Sequence, residues 1–170
     1  MIFLGLGSNL PSKYGNRFKN INLAISYLEE YGIKIIKKSS FYQTLSYPNK
    51  GNPKFINVVI LVETILPPID LMSVLIFIEE RLERKRGKKN DPRTCDIDII
   101  DYNSQILNLK NNNLNLTLPH KELTSRNFVL FPLQEIFPEW KHPKTKEIIN
   151  VLLQKLSKDD KNSILKIEEN

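Results

Sequence analysis

Two aspartates separated by one residue, Asp96 and Asp98, are the side chains in this sequence most suited to chemistry. They lie in an apolar run typical of a β-strand, where alternation sends Cys95, Ile97 and Ile99 to one face and both aspartates to the other. Their Cα atoms would be roughly 6.6 Å apart, a span that one or two hard cations bridge through oxygen ligands. Mg²⁺ fits best, because it takes one or two protein carboxylates and completes its shell with water and phosphate oxygens. For an isolated Asp-x-Asp, a solvated strand face is the commoner explanation.

A basic segment precedes the aspartates, with six basic residues in the ten positions from Arg84 to Arg93. A metal-bound triphosphate needs both a cation platform and basic side chains, whereas a site for a nucleic acid backbone gains nothing from two central aspartates. We therefore expect Arg84 and Arg93 to contact phosphates, and Lys85, Lys88 and Lys89 to be solvated at a helix C-terminus. Since no Walker motif occurs, side chains rather than a glycine-rich loop are expected to hold the phosphates.

Three further positions have two interpretations each. His120 either donates to a phosphate oxygen or acts as an acid, or else is a structural histidine. Arg126 and Phe128 are close enough to face one cleft, although Phe128 is equally compatible with the core. Gly7-Ser8-Asn9 ends an apolar strand and forms either a simple turn or part of a ligand site.

The elements that position these residues follow from the hydrophobic pattern. It predicts strands at 2–6, 34–42, 55–64 and 95–102, a helix from an N-cap at Ser12 to Glu30, and a helix after Pro67-Pro68. The order predicts an α+β fold, a ferredoxin-like βαββαβ sandwich with an antiparallel sheet. Extra C-terminal elements are expected at 114–118, 126–136 and 148–156. We expect one domain over residues 1–157, followed by a frayed polar tail at 158–170.

Bulk properties narrow the class of protein. The net charge of +6 favours an anionic partner without identifying it. Cys95 is the single cysteine, so an internal disulfide is impossible and a cytoplasmic location is expected. The sequence contains no apolar run of the roughly 18 residues expected of a membrane span.

Six segments occur in a fixed order: Gly7-Ser8-Asn9, Ser40–Thr44, Phe55-Ile56-Asn57, Pro92–Asp98, Pro119-His120 and Arg126–Leu133. Together they resemble the 6-hydroxymethyl-7,8-dihydropterin pyrophosphokinase family over most of the chain. Pro-Arg-x-x-Asp-x-Asp is the specific motif of the series, and the other segments gain specificity from their order.

The resemblance implies a ferredoxin-like fold and transfer of pyrophosphate from ATP to the pterin, with release of AMP, in folate biosynthesis. It implies two Mg²⁺ ions on Asp96 and Asp98, with Arg84 and Arg93 contacting the transferred phosphates. The nucleotide site is assigned Glu79, Thr117, His120 and Arg126. The pterin site is assigned Asn9, Thr44, Phe55, Asn57 and Phe128, with the pterin ring stacked between the two phenylalanines. We expect a monomer that binds no nucleic acid and no membrane.

Two alternatives remain open on the residues alone. Ferredoxin-like sheets with exposed aromatic residues and basic edges also bind single-stranded RNA, although this sequence lacks the usual aromatic motif of those modules. A non-catalytic interaction domain is the second alternative, and it predicts no magnesium-dependent ATP binding.

Overall fold

The computed structural model describes residues 1–85, 87, 90–111 and 114–169. Its strands are β1 (Ile2–Ser8), β2 (Lys34–Lys38), β3 (Phe41–Thr44), β4 (Phe55–Glu63), β5 (Asp96–Tyr102), β6 (Leu107–Asn111), β7 (Leu114–Leu118) and β8 (Ile164–Ile167). Its helices are α1 (Arg17–Glu30), α2 (Pro68–Arg81), α3 (Asn127–Ile136), α4 (Ile149–Lys155) and α5 (Lys158–Asn162), with a 3₁₀ turn at Leu123–Ser125. In these described ranges, no helix combines the length and apolarity needed to cross a bilayer.

The main sheet is antiparallel, with the strand order β5-β1-β4-β3-β8. β2 and β3 pair with different parts of β4, so they act as one interrupted strand, as the single run predicted at 34–42 requires. The interruption lies at Ser39, whose Oγ accepts a hydrogen bond from the backbone N of Val59 at 3.0 Å. β6 and β7 form a separate hairpin. The predicted ferredoxin-like α+β fold is confirmed.

Helices cover both faces of the sheet, which explains why its central strands are almost continuously apolar. Leu4 and Leu6 of β1 point towards α1 and α2, where they pack in a core with Ile21 and Leu75. Phe3, the residue before Leu4, points the other way and packs in a second core on the opposite face, formed with residues of α3 and α4. The result is a three-layer arrangement with a core on either side of the sheet.

The predicted start of α1 at Ser12 is wrong. Asn16 is the N-cap, because its side chain accepts a hydrogen bond from the backbone N of Lys19 at 3.0 Å. Ser12 instead donates to Oδ1 of Asn20 at 2.6 Å, a contact that holds the preceding turn against the helix. Both residue types cap helices well, so this tertiary contact decides between them.

The prediction of a frayed tail at 158–170 is also wrong for its described part. Residues 158–162 form α5, and Ile164–Ile167 form β8. β8 pairs with β3 from Thr44↔Ile164 to Phe41↔Ile167. The physical reason is that β3 would otherwise leave backbone donors and acceptors unpaired, and β8 satisfies them.

Candidate active site

Two cavities meet at the β5 end of the sheet. The charged cavity, about 230 Å³ in volume, lies between α2, β5 and β7, and its polar lining consists of Glu79, Arg84, Asp96, Asp98, Asn115, Thr117, His120 and Lys121. The aromatic cavity, about 580 Å³, lies between β1, β3, β4 and the start of α3, and it is lined by Thr44, Phe55, Asn57, Arg93, Arg126 and Phe128 among others. Asp96 and Asp98 line both cavities. We call these two residues the shared wall.

The strand alternation predicted around the shared wall is observed. Cys95, Ile97 and Ile99 are buried in the core, whereas the side chains of Asp96 and Asp98 remain 21% and 39% exposed. The antiparallel register places Gly7 of β1 opposite Asp96, and Gly5 opposite Asp98. No side chain on this part of β1 therefore covers the two carboxylates.

Three arginines converge on the shared wall. Arg84 Nη1 lies 2.5 Å from Oδ1 of Asp96, and Arg93 Nη2 lies 2.8 Å from Oδ2 of the same carboxylate. Arg126 Nη1 lies 3.1 Å from Oδ2 of Asp98. Each carboxylate thus has at least one cationic partner.

Burial and charge shift the pKa values of this cluster. Partial burial, together with the neighbouring Asp96 carboxylate, raises the pKa of Asp98, so the site favours a cation beside it. Burial lowers the pKa of His120, although the Asp98 carboxylate acts in the opposite direction. The lowered pKa keeps the imidazole neutral near pH 7. Burial alone would lower the pKa of Arg84, but the Asp96 and Glu79 carboxylates outweigh it and raise the pKa.

The residues assigned to the nucleotide divide between the two cavities. Glu79, Thr117 and His120 all line the charged cavity. Glu79 is 3% exposed and accepts a hydrogen bond from the backbone N of Ile97 at 2.7 Å, so it also holds the start of β5. Arg126 differs from the assignment, because it lines the aromatic cavity. As the residue before α3, it extends towards Asp98 rather than towards β7.

Four of the five residues assigned to the pterin line the aromatic cavity together: Thr44, Phe55, Asn57 and Phe128. Asn57 is 5% exposed, and its Nδ2 donates to Oγ1 of Thr44 at 3.0 Å, which fixes the orientation of its amide. The guanidinium of Arg93 lies 5.1 Å from the Phe55 ring, and that of Arg126 lies 5.4 Å from the Phe128 ring. Each aromatic ring therefore carries an adjacent cation.

Asn9, the fifth of these residues, lies behind the cavity rather than in its described lining. It is 1% exposed, and its Oδ1 accepts a hydrogen bond from the backbone N of Arg93 at 2.7 Å. Its Nδ2 donates to Oγ of Ser46 at 3.2 Å and to the carbonyl oxygen of Pro53 at 3.1 Å. Asn9 thus ties the loop after β3 to the loop that carries Arg93, and it acts by positioning both.

Several lining residues were missed by the sequence analysis. They are Ser46, Tyr47 and Lys50 of the loop after β3, Glu122 and Ser125 before α3, and Asp159, Asp160 and Ser163 of the supposed tail. The three apolar residues Ile164, Leu165 and Ile167 within four positions are the signal that could have indicated a strand there. Of the basic segment, Arg86, Lys88 and Lys89 lie outside the described residues, and Lys85 is exposed.

The fold and the site together define a class of protein. It is a ferredoxin-like domain in which a pair of aspartates lies between a charged cavity and an aromatic cavity. Residues 3–138 match the family described as 7,8-dihydro-6-hydroxymethylpterin-pyrophosphokinase. The chain belongs to this family.

Similar proteins include stand-alone and much longer ones. The 2-amino-4-hydroxy-6-hydroxymethyldihydropteridine pyrophosphokinase of Aquifex aeolicus is 35% identical over 142 residues, which are 84% of this chain and 83% of that protein. The folic acid synthesis protein fol1 of Pneumocystis carinii is 35% identical over 164 residues, 96% of this chain but 21% of that protein. The chain thus spans about a fifth of the length of that relative.

Solved structures support the fold. The crystal structure of wild-type Plasmodium falciparum HPPK-DHPS matches with a TM-score of 0.73 at 19% identity. The match covers 91% of this chain and 44% of that one.

Proposed function

We propose that this chain transfers the pyrophosphate group of ATP to 6-hydroxymethyl-7,8-dihydropterin and releases AMP, as a step of folate synthesis. The observation that carries the proposal is the shared wall, because a group that moves between two ligands must pass the point where their sites meet. Membership of the family supplies the identity of both substrates.

The charged cavity suits the nucleotide, and the aromatic cavity suits the pterin. Thr117 and the neutral His120 offer hydrogen-bonding groups at a site that Arg84 makes cationic. Phe55 and Phe128 offer aromatic faces to a flat heterocycle, while the fixed amide of Asn57 is able to pair with its polar edge.

Two magnesium ions fit the donor set of the shared wall. In the described part of the chain, no group of three or more acidic, histidine or cysteine side chains forms a metal cluster. Two carboxylates suffice for Mg²⁺, because phosphate and water oxygens complete its octahedral shell. Asp96 and Asp98 would hold the ions, which supply neutralisation of the negative charge on the phosphate chain.

The reaction requires orientation and charge neutralisation more than proton abstraction. The hydroxymethyl oxygen of the pterin forms a bond to the β-phosphorus of ATP, the bond from that phosphorus to the α,β-bridging oxygen breaks, and the hydroxyl proton leaves to solvent. Arg84 and Arg93 lie where they can move from Asp96 to the phosphate oxygens. Nε of Arg93 is buried and finds no hydrogen-bond partner in the described structure, so a ligand oxygen would satisfy it.

The RNA-binding alternative needs an open sheet face on which bases stack. In this structure, helices pack against both faces of the sheet, which favours the enzyme instead. The proposal includes a monomer that acts on small molecules without nucleic acid or membrane partners. It also includes a cytoplasmic location, which suits the single buried cysteine.

The decisive experiment is incubation with 6-hydroxymethyl-7,8-dihydropterin, ATP and Mg²⁺, followed by chromatography of the nucleotides. AMP that forms only when the pterin is present supports the proposal, whereas ADP would indicate an ordinary kinase and refute it. Replacing an aspartate of the shared wall by asparagine should abolish AMP formation. Asp70→Asn makes the same chemical change at an exposed position in the first turn of α2 and serves as its matched control.

A further inference from the structure

The C-terminal segment, residues 158–167 with α5 and β8, forms part of the aromatic cavity. Asp159, Asp160 and Ser163 of this segment line the cavity. β8 also pairs residue by residue with β3, so Ile164 lies directly opposite the lining residue Thr44. The cavity is therefore completed by a part of the chain far from its other lining residues in sequence.

Asn127, which also lines the aromatic cavity, joins this segment to the helix that carries Phe128. Its Nδ2 donates to the carbonyl oxygen of Asp160 at 2.6 Å and to Oγ of Ser163 at 3.1 Å. Ser163 in turn donates to the same carbonyl oxygen at 3.0 Å. Because Asn127 is 8% exposed, water competes little for these hydrogen bonds.

A second contact fixes the other end of β8 to the same helix. Glu135 accepts hydrogen bonds from Tyr42 Oη at 2.6 Å, from Ser40 Oγ at 2.8 Å and from Lys166 Nζ at 3.2 Å. Since Tyr42 lies opposite Lys166 in the β3–β8 register, Glu135 holds both strands. α3 thus contacts the C-terminal segment at two points, through Asn127 and through Glu135. Of these two contacts, only that of Asn127 lies beside the cavity.

On the basis of the proposed function, we infer that the C-terminal segment is a wall of the pterin site and that Asn127 is its positioning residue. Asn127 fixes the distance between this wall and Phe128, its neighbour in sequence, and so sets the width of the space for the heterocycle. The charged cavity lacks lining residues from this segment in the described structure, so we expect nucleotide binding in the absence of the pterin to change little when the segment is perturbed.

The test is a pair of titrations on the full chain and its variants. One uses 6-hydroxymethyl-7,8-dihydropterin in the presence of Mg²⁺ and the non-cleavable analogue α,β-methylene-ATP, and the other uses the analogue alone with Mg²⁺. Asn127→Ala is expected to weaken pterin binding roughly tenfold, the effect of losing buried hydrogen bonds, and to change analogue binding less than about twofold. A purely structural role would weaken both ligands together.

Two further variants make the outcome independent of how well Asn127→Ala folds. Ser163→Ala should weaken pterin binding by roughly threefold in the parent and have no added effect beside Asn127→Ala, because both act through one contact. Gln134→Ala removes the other side-chain amide of α3, which bonds to Asn150 away from the cavity, and should change neither affinity.

Parent-like pterin binding by both Asn127→Ala and Ser163→Ala would overturn the inference, as would an equal loss of both ligands. If the parent chain forms AMP while these variants bind the pterin normally, the inference alone fails. If the parent chain neither binds the pterin nor forms AMP, the proposed function fails, and the inference fails with it.

Discussion

Replacing Gly7 with alanine is expected to weaken pterin binding while the fold persists. A Cβ atom at this position would lie 3.1 Å from Oδ1 of Asn57 and 3.5 Å from Cδ1 of Phe55. The first distance is shorter than ordinary van der Waals contact, so the amide of Asn57 must move by a few tenths of an ångström. That amide is fixed by its hydrogen bond to Thr44, and the movement strains this bond and misaligns the amide towards the ligand.

The size of the effect follows from the hydrogen bonds at stake. Misaligning one or two buried hydrogen bonds costs about 1 to 3 kcal/mol, which corresponds to roughly 5- to 150-fold in the dissociation constant of the pterin. Stability should change little, because alanine loses less conformational entropy than glycine on folding. This difference favours the folded state by about 0.5 to 1 kcal/mol and offsets the strain.

Gly5→Ala is a comparison variant in the lining of the same cavity, because a Cβ atom there would also meet a neighbour at 3.1 Å but would not touch Asn57. That neighbour is the terminal Cδ1 of Ile100, which can turn aside within the core. Calorimetric titration with the pterin, together with thermal unfolding, separates the two variants. Parent-like pterin binding by Gly7→Ala would refute the assignment of Asn57 to the pterin edge.

Three more predictions concern charge. Asp98→Asn should reduce AMP formation at least about a hundredfold. The unfolding temperature should stay unchanged or rise, because the raised pKa of Asp98 shows that its charged form is disfavoured in the folded chain. Turnover near that of the parent would contradict a metal role. Arg84→Ala should lower both turnover and unfolding temperature, since its guanidinium pairs with the buried Glu79, and a calorimetric scan with unchanged midpoint would speak against that pairing. Stability should fall as the pH drops below about 6.5, the ordinary pKa of histidine. Burial lowers the pKa of His142 in the folded chain, so the unfolded chain takes up a proton at a higher pH and is favoured by acid. Nδ1 of His142 accepts a hydrogen bond from the backbone N of Thr145 at 3.0 Å. His142→Gln keeps an acceptor but removes the titrating group, so the difference between the urea midpoints at pH 7.5 and pH 5.5 should become smaller. An identical pH dependence in this variant would count against the prediction.

The chemistry at the shared wall could be predicted from sequence because strand geometry leaves no choice. A period of two places Asp96 and Asp98 on one face wherever the strand lies, and the buried Ile97 and Ile99 fix which face is the core. The partners of these aspartates could not be predicted, because they come from separate elements. Arg126, for example, reaches Asp98 only through the packing of α3 against the sheet.

The C-terminal segment shows what local patterns miss. β8 has four residues, and its polar neighbours resemble a solvated tail, so its stability comes from pairing with β3 rather than from its own composition. The start of α1 is a similar case, because the Ser12 hydroxyl is bonded to the side chain of Asn20 and Asn16 serves as the cap instead. In both places tertiary contacts decide between locally acceptable alternatives.

The position of Asp96 and Asp98 between two cavities has a thermodynamic consequence. If the proposed ligands occupy these cavities, each one alters the charge and arrangement of side chains that the other also meets, and we expect their two affinities to be linked. Linkage is reciprocal: the factor by which the nucleotide strengthens or weakens the hold on the heterocycle equals the factor for the opposite order of addition. Under the proposed function, two carboxylates on one strand would thus couple the binding of the nucleotide and the pterin within a single domain.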